Sequence, residues 1–111
     1  MNINSPDLDS SFLAKRPLKL HLVGIGGIGM SALAQLLVHI GADVSGSDRA
    51  LSDPANARIL NPLSAGGIKL FPQDGSYLEA VAPDALVFSS AIESDNPDFR
   101  VAGESIPFVH R

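Results

Sequence analysis

The chain has no cysteine and no tryptophan, a single tyrosine, and charged side chains at only 18% of its 111 positions. The missing cysteines remove disulfide frameworks, thiolate nucleophiles and Cys-based zinc or iron-sulfur centres together. His21, His39 and His110 are scattered singles without carboxylates at ligand spacing, so no metal site is expected. No nucleophile has a base beside it, and no catalytic residue is assigned. Basic side chains are scarce as well, 8 Lys and Arg against 12 Asp and Glu for a net charge of −4, which argues against nucleic-acid or anionic-membrane partners. Long apolar runs are also absent. The richest stretch, Leu18 to Val44, is broken by four glycines between Val23 and Met30 and by Ser31, Gln35 and His39, short of the roughly 18 to 20 residues that span a bilayer. Residues 1–17 lack the apolar centre of a secretory signal and are expected to form a partly ordered leader on a cytoplasmic protein.

What is present suits one compact domain over residues 18–111, since 45% of the side chains are apolar and the chain is too short for two cores. Leu18–Val23 reads as a strand running into Gly24. Ile28–Ile40 then takes helical spacing, with Ser31, Gln35 and His39 forming one polar stripe on a cylinder expected to be nearly buried, and Gly41 stops it. Strands are expected at Ala42–Gly46, Ile68–Phe71, Ala85–Phe88 and Ile106–Val109. Between them, Asp53-Pro54 starts a helix that Pro62 disturbs near Asn61, with Gly66-Gly67 ending the segment. Ser76-Tyr77-Leu78-Glu79 has capping-box spacing, and Asn96-Pro97 starts a third short helix, with Asp95 and Asp98 as acids favoured near its start. Such alternation predicts a Rossmann-like α/β fold: an open, doubly wound parallel sheet of about five strands with helices on both faces.

Gly24-Ile25-Gly26-Gly27-Ile28-Gly29 fits G-x-G-x-x-G and lies between the first strand and an apolar helix, where that turn can work. Gly24 permits the sharp turn, Gly26 lets backbone approach a ligand, and Gly29 lets the helix pack close to the sheet. The helix N-terminus then offers N–H groups and a positive dipole end to a diphosphate. Asp48, at the end of the second strand, is placed to accept hydrogen bonds from a ribose. A turn built only for packing and a solvated Asp48 are the plainer alternatives. Ser89, Ser90, Ala91 and Ile92 follow the fourth strand at the carboxyl edge, where open α/β sheets place ligands. Gln73, Asp74 and Ser76 lie beyond the third strand near the same edge, with Ser76 better explained as a cap.

His21 to Ser31, together with Ser45-Gly46-Ser47-Asp48, Ser89-Ser90-Ala91-Ile92, Asp95-Asn96-Pro97 and the Ile106-Pro107 strand ending at Arg111, closely resembles the N-terminal domain of the Mur ligases over nearly all of Leu18–Arg111. The resemblance implies a step of peptidoglycan synthesis in which ATP and Mg²⁺ activate the lactyl carboxylate of UDP-N-acetylmuramate and an amine, that of L-alanine, attacks to form an amide. It also implies that this domain holds the UDP part of the substrate. Carried over, Gly24, Gly26, Gly27, Ile28, Gly29, Met30 and Ser31 cradle the diphosphate or sugar, Asp48 and Arg49 face the uridine, and Ser89 to Ile92 border nucleotide and sugar. Many relatives carry Gly-His after the third strand, where this chain reads Phe71-Pro72-Gln73-Asp74, so Gln73 is the available substitute.

No G-x-x-x-x-G-K-[ST] occurs, so the family's ATP site, with its lysine and magnesium-binding hydroxyl, is missing. The expectation is a domain of a longer ligase that works with central and C-terminal domains in cis, binds no cofactor itself and is inert alone. Two other readings stay open: an NAD-binding regulatory or oxidoreductase domain, and a relative that ligates a preformed tripeptide to the same UDP-sugar.

Overall fold

The computed structural model describes residues 17–89, 92, 95–103 and 105–111. In chain order the elements are β1 (Lys19–Val23), α1 (Ile28–His39), β2 (Asp43–Asp48), a 3₁₀ turn (Pro54–Asn56) leading into α2 (Ala57–Ala65), β3 (Lys69–Pro72), α3 (Tyr77–Val81), β4 (Ala85–Phe88), α4 (Pro97–Ala102) and β5 (Phe108–His110). The strands form one parallel sheet in the order β3-β2-β1-β4-β5. The chain winds outward from β1 through β2 to β3, then returns to the other side of β1 for β4 and β5. The reversal opens a crevice beyond the carboxyl ends of β1 and β4.

The period-2 alternation of each strand sorts its side chains between two cores. Leu20 and Leu22 of β1, Val44 of β2 and Val87 of β4 pack with Met30, Ala34, Leu60 and Leu63 of α1 and α2. Val23 and Leu86 pack on the opposite face with Tyr77 of α3 and Phe99 and Ala102 of α4. The expected doubly wound fold with helices on both faces is the one observed.

Several local expectations change. Helix α1 is half-buried, not nearly buried: Met30 and Ala34 point inward, while Ile28, Leu36 and Ile40 are exposed. One face suffices to cover the sheet, and nothing among the described residues covers the other. Strand β2 runs two residues past Gly46, because Ser47 and Asp48 keep pairing with Phe71 and Pro72 of β3. Helix α2 continues through Pro62 to Ala65. Proline forfeits one backbone bond there, and the burial of Leu60 and Leu63 on either side of it outweighs that loss. Ser76 makes no side-chain cap to α3; Asp74 Oδ1 instead accepts from Ser76 N at 3.0 Å. The two Asx-Pro starts hold, with Asp53 accepting from Ala55 N and Asn96 from Asp98 N.

Candidate functional site

Gly24, at the exit of β1, adopts φ +77°, a conformation that suits glycine. The N–H groups of Gly24 and Ile25 both donate to Ser47 O, at 2.8 and 2.9 Å, and Gly27 N donates to Gly24 O at 3.0 Å. Asp48 closes the turn from outside: Oδ2 accepts from Gly26 N at 2.8 Å and Oδ1 from Ala50 N at 2.9 Å. The turn's own donors are therefore satisfied internally. Ser31 N is the first donor of α1 to reach an i−4 carbonyl, Gly27 O at 2.9 Å, so Ile28, Gly29 and Met30 have no intrahelical acceptor. No acidic side chain sits in that first turn to offset the positive dipole end.

A cleft of about 510 Å³ opens over this helix end. Gly24, Gly27, Ile28, Gly29 and Met30 form its floor, Asp48, Arg49 and Gln73 one wall, and Ser89, Ile92 and Arg111 the other. The structure thus brings together most of the expected site residues. Gly26 and Ser31 do not line the cleft: the Gly26 N–H serves Asp48, and the Ser31 hydroxyl donates to Ile28 O at 3.2 Å. Ser90 and Ala91 lie outside the described residues, as does the expected leader except Pro17.

Two glycine roles also change. A Cβ on Gly29 would lie 2.7 Å from Arg111 Cζ, so this glycine admits a guanidinium over the helix end and does not serve helix-sheet packing. Close packing against the sheet falls to Gly46, whose Cβ would overlap Ile25. No sequence motif marks Arg111 as a ligand residue; its position after the last strand, on the carboxyl edge, is the available signal. Its backbone N–H donates to Phe88 O at 2.7 Å, which anchors it beside β4. Among the described residues that line the cleft, Arg111 and Arg49 set two cations against the one carboxylate of Asp48.

Gln73 has a fixed orientation. Asn96 Oδ1 accepts from Asp98 N at 2.9 Å, which turns Asn96 Nδ2 toward Gln73 Oε1, also at 2.9 Å. The Gln73 amide nitrogen is left facing Gly24, 3.9 Å from where a Cβ would stand. Gln73 therefore presents donors to the cleft.

Beneath the turn lies a buried polar cluster that reading the sequence for motifs overlooked. His21 and Asp98 are fully buried. His21 Nδ1 meets Ser45 Oγ at 2.8 Å and Nε2 meets Ser47 Oγ at 3.2 Å, while the Ser47 hydroxyl donates to Asp98 Oδ2. Asp98 is thus the expected acid in the first turn of α4 and, in addition, a buried acceptor. Its Oδ1 accepts from Gly75 N at 3.0 Å, and its backbone carbonyl from the Tyr77 hydroxyl at 2.8 Å. The Tyr77 ring stacks on His21 at 3.9 Å. Burial lowers the His21 pKa from its ordinary value against the opposing pull of Asp98, and burial with the nearby Asp98 charge pushes the Tyr77 phenol up to about 12. At the exposed loop, hydrogen bonds from Ser76 hold the Asp74 carboxyl below its usual range.

Fold and cleft define a Rossmann-like α/β domain with an uncompensated helix N-terminus at its topological switch point. Comparison with known proteins carries this further: the family described as "Mur ligase family, catalytic domain" matches residues 19–111. The chain belongs to the Mur ligase family. It is 44% identical over 94 residues to a UDP-N-acetylmuramate--L-alanine ligase of Azoarcus sp. (strain BH72), covering 84% of this chain and 19% of the relative. It is 46% identical over 94 residues to the protein of the same name from Bdellovibrio bacteriovorus, again 84% and 19%. The chain therefore spans about a fifth of the length of these curated relatives. Among solved structures, a murein peptide ligase from Psychrobacter arcticus 273-4 superposes with a TM-score of 0.69 at 23% identity, over 83% of this chain and 18% of that one, a likeness of fold. Among the described residues, no helix is long and apolar enough to cross a membrane, and no three His, Asp or Glu side chains cluster as a metal site.

Proposed function

We propose that residues 18–111 are the UDP-N-acetylmuramate-binding domain of a cytoplasmic ligase that joins L-alanine to that substrate with ATP hydrolysis, in peptidoglycan synthesis. The observation that carries this reading is the α1 end. Three N–H groups without intrahelical acceptors and an uncompensated dipole face a cleft whose walls add Arg49 and Arg111. Such a floor suits a diphosphate, and the cleft has room for the nucleoside and sugar on either side of it. Similarity to proteins named UDP-N-acetylmuramate--L-alanine ligase supports uridine as the nucleoside and L-alanine as the amine.

Asp48 favours this reading over an NAD site. Both of its oxygens are engaged by backbone N–H groups of the turn, so its first task is to brace the loop. Gln73, with its donors turned into the cleft, takes the place of the histidine that the family resemblance leads one to expect. Nothing in this chain fits ATP and Mg²⁺: no phosphate-loop lysine or adjoining hydroxyl occurs in the sequence. The activating chemistry belongs to central and C-terminal domains, and the 111-residue chain is inert alone.

Calorimetric titration and thermal shift with UDP-N-acetylmuramate, UDP, NAD and ATP test the reading. The uridine compounds are expected to raise Tm in proportion to the logarithm of their concentration once above Kd. Stabilisation by NAD alone, or ATP turnover by the isolated chain, would overturn it.

A further inference from the structure

Asp98 touches no part of the cleft, yet it ties the cleft floor to the wall that carries Gln73. Its Oδ2 takes the Ser47 hydroxyl, and the carbonyl of the same Ser47 holds the N–H groups of Gly24 and Ile25 at the cleft floor. Its Oδ1 takes Gly75 N, two residues after Gln73 on that wall. The approach there is close, since a Cβ on Gly75 would lie 2.6 Å from Val101 Cγ1 of α4.

The protons in this cluster have one consistent order. The Ser47 hydroxyl is committed to Asp98, so Ser47 Oγ is left to accept, and His21 Nε2 must carry the hydrogen. His21 is neutral because burial disfavours its cation, so Nδ1 accepts from the Ser45 hydroxyl. A directed chain thus runs from Ser45 through His21 and Ser47 to Asp98, all four nearly or fully buried. Replacing one member by a group of the wrong donor or acceptor type leaves a buried polar atom unpaired or forces the whole chain to reverse its proton order.

We propose that Asp98 is a positioning residue for the UDP-sugar cleft, setting the glycine turn and the Gln73 loop at their working separation through the Ser47 and Gly75 bonds. This rests on the functional reading above for the identity of the ligand, while the arrangement itself is testable without one. In Asp98→Asn one carboxylate oxygen becomes a donor with almost no change in volume: facing Gly75 it loses that tie, and facing Ser47 it keeps a bond only by reversing the proton order through His21 to Ser45.

The test joins titration with UDP-N-acetylmuramate to amide hydrogen exchange on the 111-residue chain. Asp98→Asn is expected to bind roughly 3- to 30-fold more weakly, the range for a residue that acts on a ligand through a network. Protection should fall selectively at Gly24, Ile25 and Gly75. Val44→Ala, which thins the core on the other face of the sheet, is the comparison, and it should leave both affinity and that local pattern unchanged. Equal affinity in Asp98→Asn and the unmodified chain, or a loss matched by Val44→Ala, overturns the proposal. If the unmodified chain binds no uridine compound, the functional reading fails by itself and the exchange pattern alone decides the role of Asp98. Should Asp98→Asn not fold, ring-nitrogen NMR of His21 in the unmodified chain decides the proton order, with the Nε2–H tautomer expected and an Nδ1–H tautomer or imidazolium at pH 7 refuting it.

Discussion

Gly26 gives the sharpest check on how the turn is held. A Cβ there would stand 2.7 Å from Asp48 Oδ2, the atom that accepts the Gly26 N–H at 2.8 Å. The carboxylate cannot simply step aside, because its other oxygen is tied to Ala50 N at 2.9 Å. Gly26→Ala is therefore expected to cost one charge-assisted hydrogen bond, about 1.5–3 kcal/mol. The reduced freedom of the unfolded chain returns about 0.4–1 kcal/mol. The net loss is about 0.5–2.6 kcal/mol, equivalent to a fall in Tm of roughly 2–21 °C for a domain of this size. A double-mutant cycle in urea isolates the cause. With Asp48→Ala already present, the added methyl has no carboxylate to strike, and Gly26→Ala should become neutral or mildly stabilising, a coupling of about 1.5–3 kcal/mol. Additivity within about 0.5 kcal/mol would refute the brace. In that event Gly26 would serve ligand approach, as the glycine motif suggests, and its substitution would show in affinity and not in stability.

Two further outcomes follow from buried or strained groups. His21 has a lowered pKa, so below about pH 6.5 the unfolded chain binds a proton that the folded chain refuses. Stability should be complete above that pH and decline as pH falls toward the folded value, by at most about 1.4 kcal/mol per pH unit. Urea unfolding at pH 7.5 and 5.5 should show the decline in the unmodified chain and not in His21→Gln, and a flat profile in both would contradict it. Ala82, closing α3 at φ +43° in the left-handed region, is exposed and costs about 1–2 kcal/mol against glycine's freedom there. After the added backbone entropy of glycine, Ala82→Gly should still stabilise by about 0.5–1 kcal/mol; a lower Tm would show that the strain is not there.

The fold was legible because it depends on patterns that survive local error. Apolar strands alternating with glycine-stopped or Asx-Pro-started helices left few alternatives, and strand ends that shifted by a residue or two did not change the winding. The floor of the cleft was legible for a similar reason: a glycine turn between strand and helix commits the backbone N–H groups whatever surrounds them. Side-chain roles within the turn were harder to read. G-x-G-x-x-G describes three places where a Cβ is unwelcome without saying what occupies the space. Here the occupants are Ile92 near Gly24, the Asp48 carboxylate at Gly26 and the Arg111 guanidinium at Gly29, two of them from residues more than sixty positions away.

The buried cluster shows where one more step of sequence logic reaches and where it stops. His21 on β1 and Ser45 and Ser47 on β2 have the same parity in register, His21 opposite Ser45 and Val23 opposite Ser47, so a parallel β1-β2 pair must place all three on one face. Three polar side chains on one face of the two central strands of a covered sheet require a buried partner with acceptor capacity, because each would otherwise lose hydrogen bonds to water without replacement. That requirement follows from the sequence once the strand order is accepted. It does not name Asp98, which reaches the cluster from α4 after two intervening crossovers. Its neighbours Asn96 and Pro97 advertise a helix start so well that an acid in the first turn needs no other explanation. The same short helix thus caps itself with Asn96, turns the Gln73 amide nitrogen toward the cleft with the other end of that amide, and closes the network under the glycine turn with Asp98. A local capping rule accounts for the first of these tasks, and only the tertiary arrangement accounts for the other two.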